Sequence, residues 1–238
     1  MVYKWLNNIQ NRFIPYFCAL CGERAQAHIA LCETCYNQLN YLENNCIQCA
    51  QPIIGSSEFR VCGQCIRQPP YFDQAISLFA YNTPVQQLIA RLKFQKKLNL
   101  ARLFGTLLSQ RIQTLQNGGL PDCIVPVPLS NQRLRERSYN QAVEIARPIS
   151  SALNIPMDHS LLKRIRHAPP QSSLDLKMRH KNVRNAFSVT RQNLPDHIAI
   201  IDDVVTTGAT CNELARLLKK AGVRKVVIWS IARATRDT

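Results

Sequence analysis

The sequence predicts an α/β fold, a mainly parallel sheet flanked by helices, behind a small N-terminal module held together by metal. Three observations predict it. Eight of the ten cysteines fall within residues 18–65, as four C-x-x-C pairs. From residue 71 onward, short apolar runs alternate with stretches of helical periodicity, the pattern of a sheet built from strand–helix–strand units. The charge divides at the same place: residues 1–70 carry five basic and four acidic side chains, residues 71–238 carry 25 and 11. The expected organisation is an N-terminal segment 1–17, a metal module 18–70 and an α/β domain 71–238, with Pro69-Pro70 as the link.

The cysteine pairs are Cys18/Cys21, Cys32/Cys35, Cys46/Cys49 and Cys62/Cys65, separated by 10, 10 and 12 residues. A two-residue spacer lets both thiolates of a pair reach one tetrahedral metal at ~2.3 Å per bond. Two pairs fill one site, so eight cysteines fill two. Disulfides suit secreted chains, and Met1–Phe17 lacks the continuous apolar stretch of a signal peptide. Four thiolates leave no open position for water, so the expected zincs are structural. Sequential pairing is the simpler arrangement; a cross-brace, first pair with third, is the alternative. Cys123 and Cys211 stand alone in apolar or helical contexts and read as buried fillers.

In the second region, residues 75–81 read as a strand. Val85, Leu88, Ile89 and Leu92 follow Pro84 at helical spacing, and Leu100–Leu115 continues as a second helix closed near Gly118-Gly119. Cys123–Val127 reads as a short strand, followed by a basic loop, Arg133–Arg137. Ser138 and Gln141 form a capping-box pattern for the next helix, which Pro148 should kink or shorten. A polar, basic stretch runs from Lys163 to Arg184. Residues 197–201 are apolar and short, as a buried parallel strand should be. Thr210–Glu213 forms another capping-box pattern, Gly222 suits the end of that helix, and Val226–Ala232 is the final strand.

Composition narrows the function. At 46% hydrophobic residues the chain builds a core, which excludes wholesale disorder, and no apolar run approaches a membrane span, so the expected location is the cytoplasm. The net charge is +15, and no acid occurs between Asp73 and Asp122, where Arg91, Lys93, Lys96, Lys97, Arg102 and Arg111 all lie. Such a field favours polyanions; solubility alone is the alternative.

The sharpest motif is Ile200-Ile201-Asp202-Asp203-Val204-Val205-Thr206-Thr207-Gly208-Ala209-Thr210. It runs from a buried strand, through two carboxylates, into a small hydroxyl-rich loop and a helix start. Ligands of open α/β sheets bind at the carboxyl ends of strands. The N–H groups of a tight loop at a helix start make an anion nest. Carboxylates beside such a nest repel phosphate, but they suit neighbouring hydroxyls and a divalent cation. A sugar with a 5′-phosphate, vicinal hydroxyls and a magnesium pyrophosphate meets all of these demands.

This segment resembles the phosphoribosyl pyrophosphate motif of type I phosphoribosyltransferases, and no G-x-x-x-x-G-K-[ST] or G-x-G-x-x-G occurs to favour another nucleotide. From Cys18 to Ala232 the chain resembles the ComF/GntX family, a double zinc-ribbon module fused to a type I phosphoribosyltransferase-like domain. Tyr81 with Lys93-Phe94, Val125-Pro126-Val127-Pro128 and Arg133-x-Arg135-x-Arg137-x-x-Asn140-Gln141 carry the resemblance. So do Leu162-x-Arg164-x-Arg166, Gln171 and Arg179-x-x-Asn182-Val183-x-x-Ala186-Phe187. Ser138 stands where the family has Gly, Ala168 where Thr is common, and Thr206 where some purine phosphoribosyltransferases have Asp.

The resemblance implies a role in uptake or use of external DNA, with single-stranded DNA, phosphoribosyl pyrophosphate and other DNA-uptake proteins at the inner membrane as partners. It implies that Thr206, Thr207, Gly208, Ala209 and Thr210 hold the 5′-phosphate. Asp202 and Asp203 hold the ribose hydroxyls as the catalytic pair, and Mg2+ neutralises the pyrophosphate. Arg133, Arg135 and Arg137 face the pyrophosphate, with a solvated basic loop as the alternative. Lys93, Lys96 and Lys97 are the nucleic-acid candidates, and Phe94 and Tyr139 beside basic residues are candidates for base stacking. Two other readings stand beside this one: a metabolic phosphoribosyltransferase acting on a small amine or base, and a regulator whose ligand tunes nucleic-acid binding.

Overall fold

The computed structural model describes residues 17–25, 30–53, 60–115, 119–165 and 183–235. Gly118, Arg166, Ala168, Gln171, Arg179 and Asn182 lie outside these.

Two short helices, α1 (Glu33–Asn37) and α2 (Gly63–Arg67), each start directly after a cysteine, Cys32 and Cys62. The α/β region then runs β1 (Gln74–Ala80), α3 (Val85–Phe94), α4 (Asn99–Leu115), β2 (Cys123–Pro126), α5 (Asn131–Arg137) and α6 (Gln141–Leu153). It continues with β3 (Leu162–Arg164), β4 (Phe187–Val189), β5 (His197–Val205), α7 (Ala209–Lys220) and β6 (Lys225–Arg233). The main sheet has the order β1-β6-β5-β2, and every pairing in it is parallel. β3 and β4 form a separate antiparallel pair.

The two faces of the sheet bury two cores. Along β5 and β6 the side chains alternate, so Ala199, Ile201, Val227 and Trp229 join one cluster with α3, α4 and α6. Ile198, Ile200, Val226 and Ile228 join the other with α7, β3 and β4. Cys18, Leu31, Cys35 and Leu39 belong to the first cluster and Ala50 to the second. The metal module therefore straddles the sheet, one half on each face. Its linker crosses at β1: Leu42 N–H donates to the Leu78 carbonyl and Ala80 N–H to the Asn40 carbonyl, both at 3.0 Å.

Several elements differ from expectation. Arg133–Arg137 is helical, because Ser130 caps the run through its hydroxyl, accepting from Arg133 N–H, and the residues that follow are good helix formers. Ser138 is not the cap of α6. It ends α5 in the left-handed region, at φ +69°, a conformation that glycine adopts at less cost. Asn140 caps α6 instead. Pro148 sits inside α6, which runs on to Leu153. It packs on Gly105 of α4, where a Cβ would lie 2.3 Å from Pro148 Cγ. The start of α7 is capped by Gly208 at φ +79°, not by Thr210. Glu213, the expected capping partner, instead accepts from Asn185 N–H at 3.0 Å and pairs with Arg216 at 2.8 Å.

Candidate functional site

The eight cysteines gather into two groups, Cys18/Cys21/Cys32/Cys35 and Cys46/Cys49/Cys62/Cys65, with all sulfurs of a group within 4.8 Å of one another. The pairing is sequential. Cys21 and Cys32 sulfurs lie 3.7 Å apart and those of Cys49 and Cys62 3.6 Å. Bonds of ~2.3 Å to a tetrahedral zinc put ligand sulfurs about 3.8 Å apart, so the donor set fits that ion. The surroundings are uneven: burial raises the Cys35, Cys49 and Cys65 thiols, while Cys18 and Cys62 are lowered. Burial opposes the Cys18 charge, but backbone N–H donors from Cys21, Cys32 and Leu20 outweigh it and bring its pKa down to about 6. Cys62 N–H donates to Cys46 Sγ at 3.2 Å.

β5 runs through both aspartates, longer than the apolar run alone suggested, so only Thr206–Gly208 separates it from α7. Asp203 pairs with Lys93 Nζ at 2.9 Å, on the α3 side of the sheet. Asp202, one residue earlier, turns to the other side, in register with Ser230 and with Cys211 of α7 as an electrostatic neighbour. Burial, and then the Asp203 charge, raise the Asp202 pKa to about 7, against the pull of Lys93. The Ser230 hydroxyl shares a hydrogen bond with Ser77 at 2.6 Å.

The arginines divide. Arg133 and Arg137, four residues apart, share one face of α5. Arg137 is half-buried; burial and then the Arg133 charge lower its pKa, while Asp203 opposes them. Arg164 of β3 joins this cluster: burial and the Arg133 charge lower its pKa too. Arg135 projects from another face of the same helix.

The three lysines also separate. Lys93 faces the carboxylate. Lys96 Nζ donates to Ser138 Oγ at 3.3 Å, on the exposed turn that follows α3. Lys97 lines a groove of about 500 Å³ with Arg91, Arg102 and Phe17, beside the first cysteine group. Phe94 is exposed, and the Arg137 guanidinium lies 5.2 Å from its ring centroid. The Tyr139 hydroxyl donates to the Leu92 carbonyl. The two aromatic–basic segments are therefore one surface, at the mouth of the Asp203 site.

In the loop, Thr207 Oγ1 accepts from Ala209 N–H at 3.2 Å, Thr206 is exposed and Thr210 is half-buried. Behind it lies a residue that the sequence alone passed over, Arg233. It is 2% exposed, and its guanidinium donates to the carbonyls of Cys49, Val205 and Thr206. The only signal for it in the sequence is a cation ending an otherwise apolar strand.

These features define a class: a pair of four-cysteine zinc knuckles clamped on a parallel α/β domain, with a carboxylate and an arginine cluster at one strand end. The double zinc ribbon domain model matches residues 9–66. Competence protein F of Haemophilus influenzae is 35% identical over 231 residues, covering 93% of this chain and 99% of that protein. The DNA utilization protein YhgH of Escherichia coli is 33% identical over 227 residues, covering 92% and 98%. Among solved structures, adenine phosphoribosyl transferase of Trypanosoma brucei is similar over 70% of this chain and 73% of that one, at 13% identity and a TM-score of 0.37. The chain belongs to the ComF/GntX family, with Competence protein F and the DNA utilization proteins. Among the described residues, no helix is long and apolar enough to cross a membrane.

Proposed function

We propose that this chain is a cytoplasmic DNA-uptake protein whose α/β domain, residues 71–238, binds phosphoribosyl pyrophosphate with Mg2+ and also binds single-stranded DNA. One observation carries the reading: Asp203, Lys93, Arg133 and Arg137 converge beside the Thr206–Gly208 loop at the end of β5. An acid for hydroxyls or a cation, guanidiniums for pyrophosphate and N–H donors for a 5′-phosphate are the complements this ligand requires. Mg2+ bound there would supply charge neutralisation for the pyrophosphate. Asp203 is the carboxylate on the arginine side, and Asp202 stands behind it.

The DNA reading rests on the relatives' names and on the field. The basic surface around Phe94, Lys96 and Arg137, continued by the groove at Lys97, Arg91 and Arg102, combines backbone-tracking cations with an exposed ring. Family resemblance adds other uptake proteins at the inner membrane as partners.

The test is the affinity for labelled single-stranded DNA with and without Mg2+ and phosphoribosyl pyrophosphate, over a range of salt. Affinity should fall with a log–log slope of about −0.7 per phosphate neutralised. Binding of phosphoribosyl pyrophosphate without DNA binding would favour the metabolic reading, and binding of neither would overturn the proposal.

A further inference from the structure

The two knuckles are attached to the α/β domain differently. On the first, Arg91 of α3 donates to the Ala19 carbonyl, away from the loop. The second is joined to the loop through Arg233. The Arg233 Nε donates to the carbonyl of Cys49, a member of the second cysteine group, at 2.9 Å. Its Nη1 donates to the carbonyls of Val205 at 2.9 Å, of Ala234 at 3.2 Å and of Thr206. Gln51 Nε2 adds a second strut from the knuckle, to the Ala234 carbonyl at 2.9 Å. Beside these bonds, the knuckle and the loop are separated by a gap. A cavity of about 340 Å³, lined by Gln64, Gln68, Tyr71, Thr207 and Asn212, lies between them, and Arg233 forms part of its wall.

A trans peptide is planar, with its C=O and N–H pointing in opposite directions. Turning the Val205 and Thr206 carbonyls onto Arg233 therefore turns the N–H groups of Thr206 and Thr207 away from it, outward from the knuckle. Those N–H groups are the donors that an anion at this loop would use. The rest of the loop is held locally, by Gly208 at φ +79° and by the Thr207 hydroxyl on Ala209 N–H.

We infer that Arg233 is a positioning residue through which zinc at the second knuckle sets the direction of the loop's N–H donors, and with it the loop's affinity for phosphate groups. The inference rests on the reading of residues 206–210 as an anion-binding loop. Loss of zinc from Cys46, Cys49, Cys62 and Cys65 releases the Cys49 carbonyl, loosens the guanidinium and lets the Thr206–Thr207 peptide unit rotate, while the Val205 carbonyl keeps its bond from Ala234 N–H at 2.9 Å. Lysine does not substitute, because it lacks the rigid fork that spans the knuckle and the loop together.

The test uses the full chain in three variants: Cys62→Ser, Arg233→Lys and, as a comparison, Arg111→Gln. Arg111 makes a bond of the same kind far from the loop, donating to the Leu42 carbonyl at 3.1 Å. Amide cross-peaks of Thr206, Thr207 and Gly208 in 15N NMR read the loop without ligand, and calorimetry reads affinity for phosphoribosyl pyrophosphate with Mg2+. Cys62→Ser and Arg233→Lys should both move the cross-peaks and weaken binding about tenfold, in the range usual for coupled sites. Arg111→Gln should do neither. Unmoved cross-peaks in Cys62→Ser protein that retains one zinc would overturn the inference, and if that variant does not fold, Arg233→Lys decides. Wild-type protein without affinity for the ligand sinks the binding reading alone, since the cross-peaks still report the link.

Discussion

Lys93 and Asp203 meet at 2.9 Å, joining the last turn of α3 to the end of β5. The lysine is mostly covered, its side chain 19% exposed. It lies at the negative end of its helix and beside a carboxylate, so its charge is committed within the site.

This separates Lys93 from its neighbours. Lys96→Glu with Lys97→Glu should weaken single-stranded DNA binding severalfold and change stability by no more than about 0.5 kcal/mol, as exposed substitutions do. Lys93→Glu should cost more stability, on the order of 1–3 kcal/mol, because it sets a second carboxylate against Asp203. Melting curves and fluorescence anisotropy on the same variants check both halves. Equal loss of stability in the two variants would contradict the committed role of Lys93.

Asp202 gives the stability a pH dependence. Its pKa is raised to about 7 from an ordinary 3.8, so between these values the folded state holds more protons than the unfolded one. Stability from this group is full below about pH 4 and is lost as pH rises through 7. Asp202→Asn should flatten the fall in melting temperature between pH 5 and pH 8 and stabilise the protein at pH 8, by about 1 kcal/mol after allowance for solvent at the strand end. Parallel slopes for wild type and variant would refute this.

Two zincs per chain are expected on freshly purified protein, and one in Cys32→Ser. Because Leu31, Cys35 and Leu39 share a cluster with Phe79 and Leu88, loss of the first zinc should lower stability across the α/β region, not only in the module. Metal analysis with hydrogen exchange on β1 checks both.

Gly105→Ala should destabilise by about 1–3 kcal/mol, since the added methyl would sit on Pro148 Cγ and within 2.7 Å of the Ile145 carbonyl, forcing α4 and α6 apart. A melting curve measures it. An unchanged midpoint would mean that the helices shift without cost.

The regular parts of this architecture were legible because they follow from local pattern. Cysteine spacing leads to two sites of four sulfurs, though it leaves sequential pairing and a cross-brace open, and apolar runs at Ile198–Ile201 and Val226–Ile231 lead to the central strands. Caps were less legible: Ser138 and Thr210 have capping chemistry, yet backbone at positive φ at Ser138 and Gly208 decides where those helices end and begin. In the candidate site, the Asp202–Thr210 segment is contiguous and so could be read. Lys93 against Asp203 and Arg233 against Cys49 join residues 110 and 184 positions apart, and no local pattern reports such a meeting.

The strand at the rim of the sheet bears on what happens when metal is lost. β1 has β6 on one side only, and on its other side the main-chain groups of Leu78 and Ala80 are occupied by Leu42 and Asn40, in the segment strung between the two knuckles. That segment has a four-cysteine group at each of its ends. A chelator that releases both ends uncovers a seven-residue apolar strand with unpaired donors and acceptors, a template for a second molecule. Metal starvation is then expected to lower solubility, by opening this edge to pairing with a second copy of the chain.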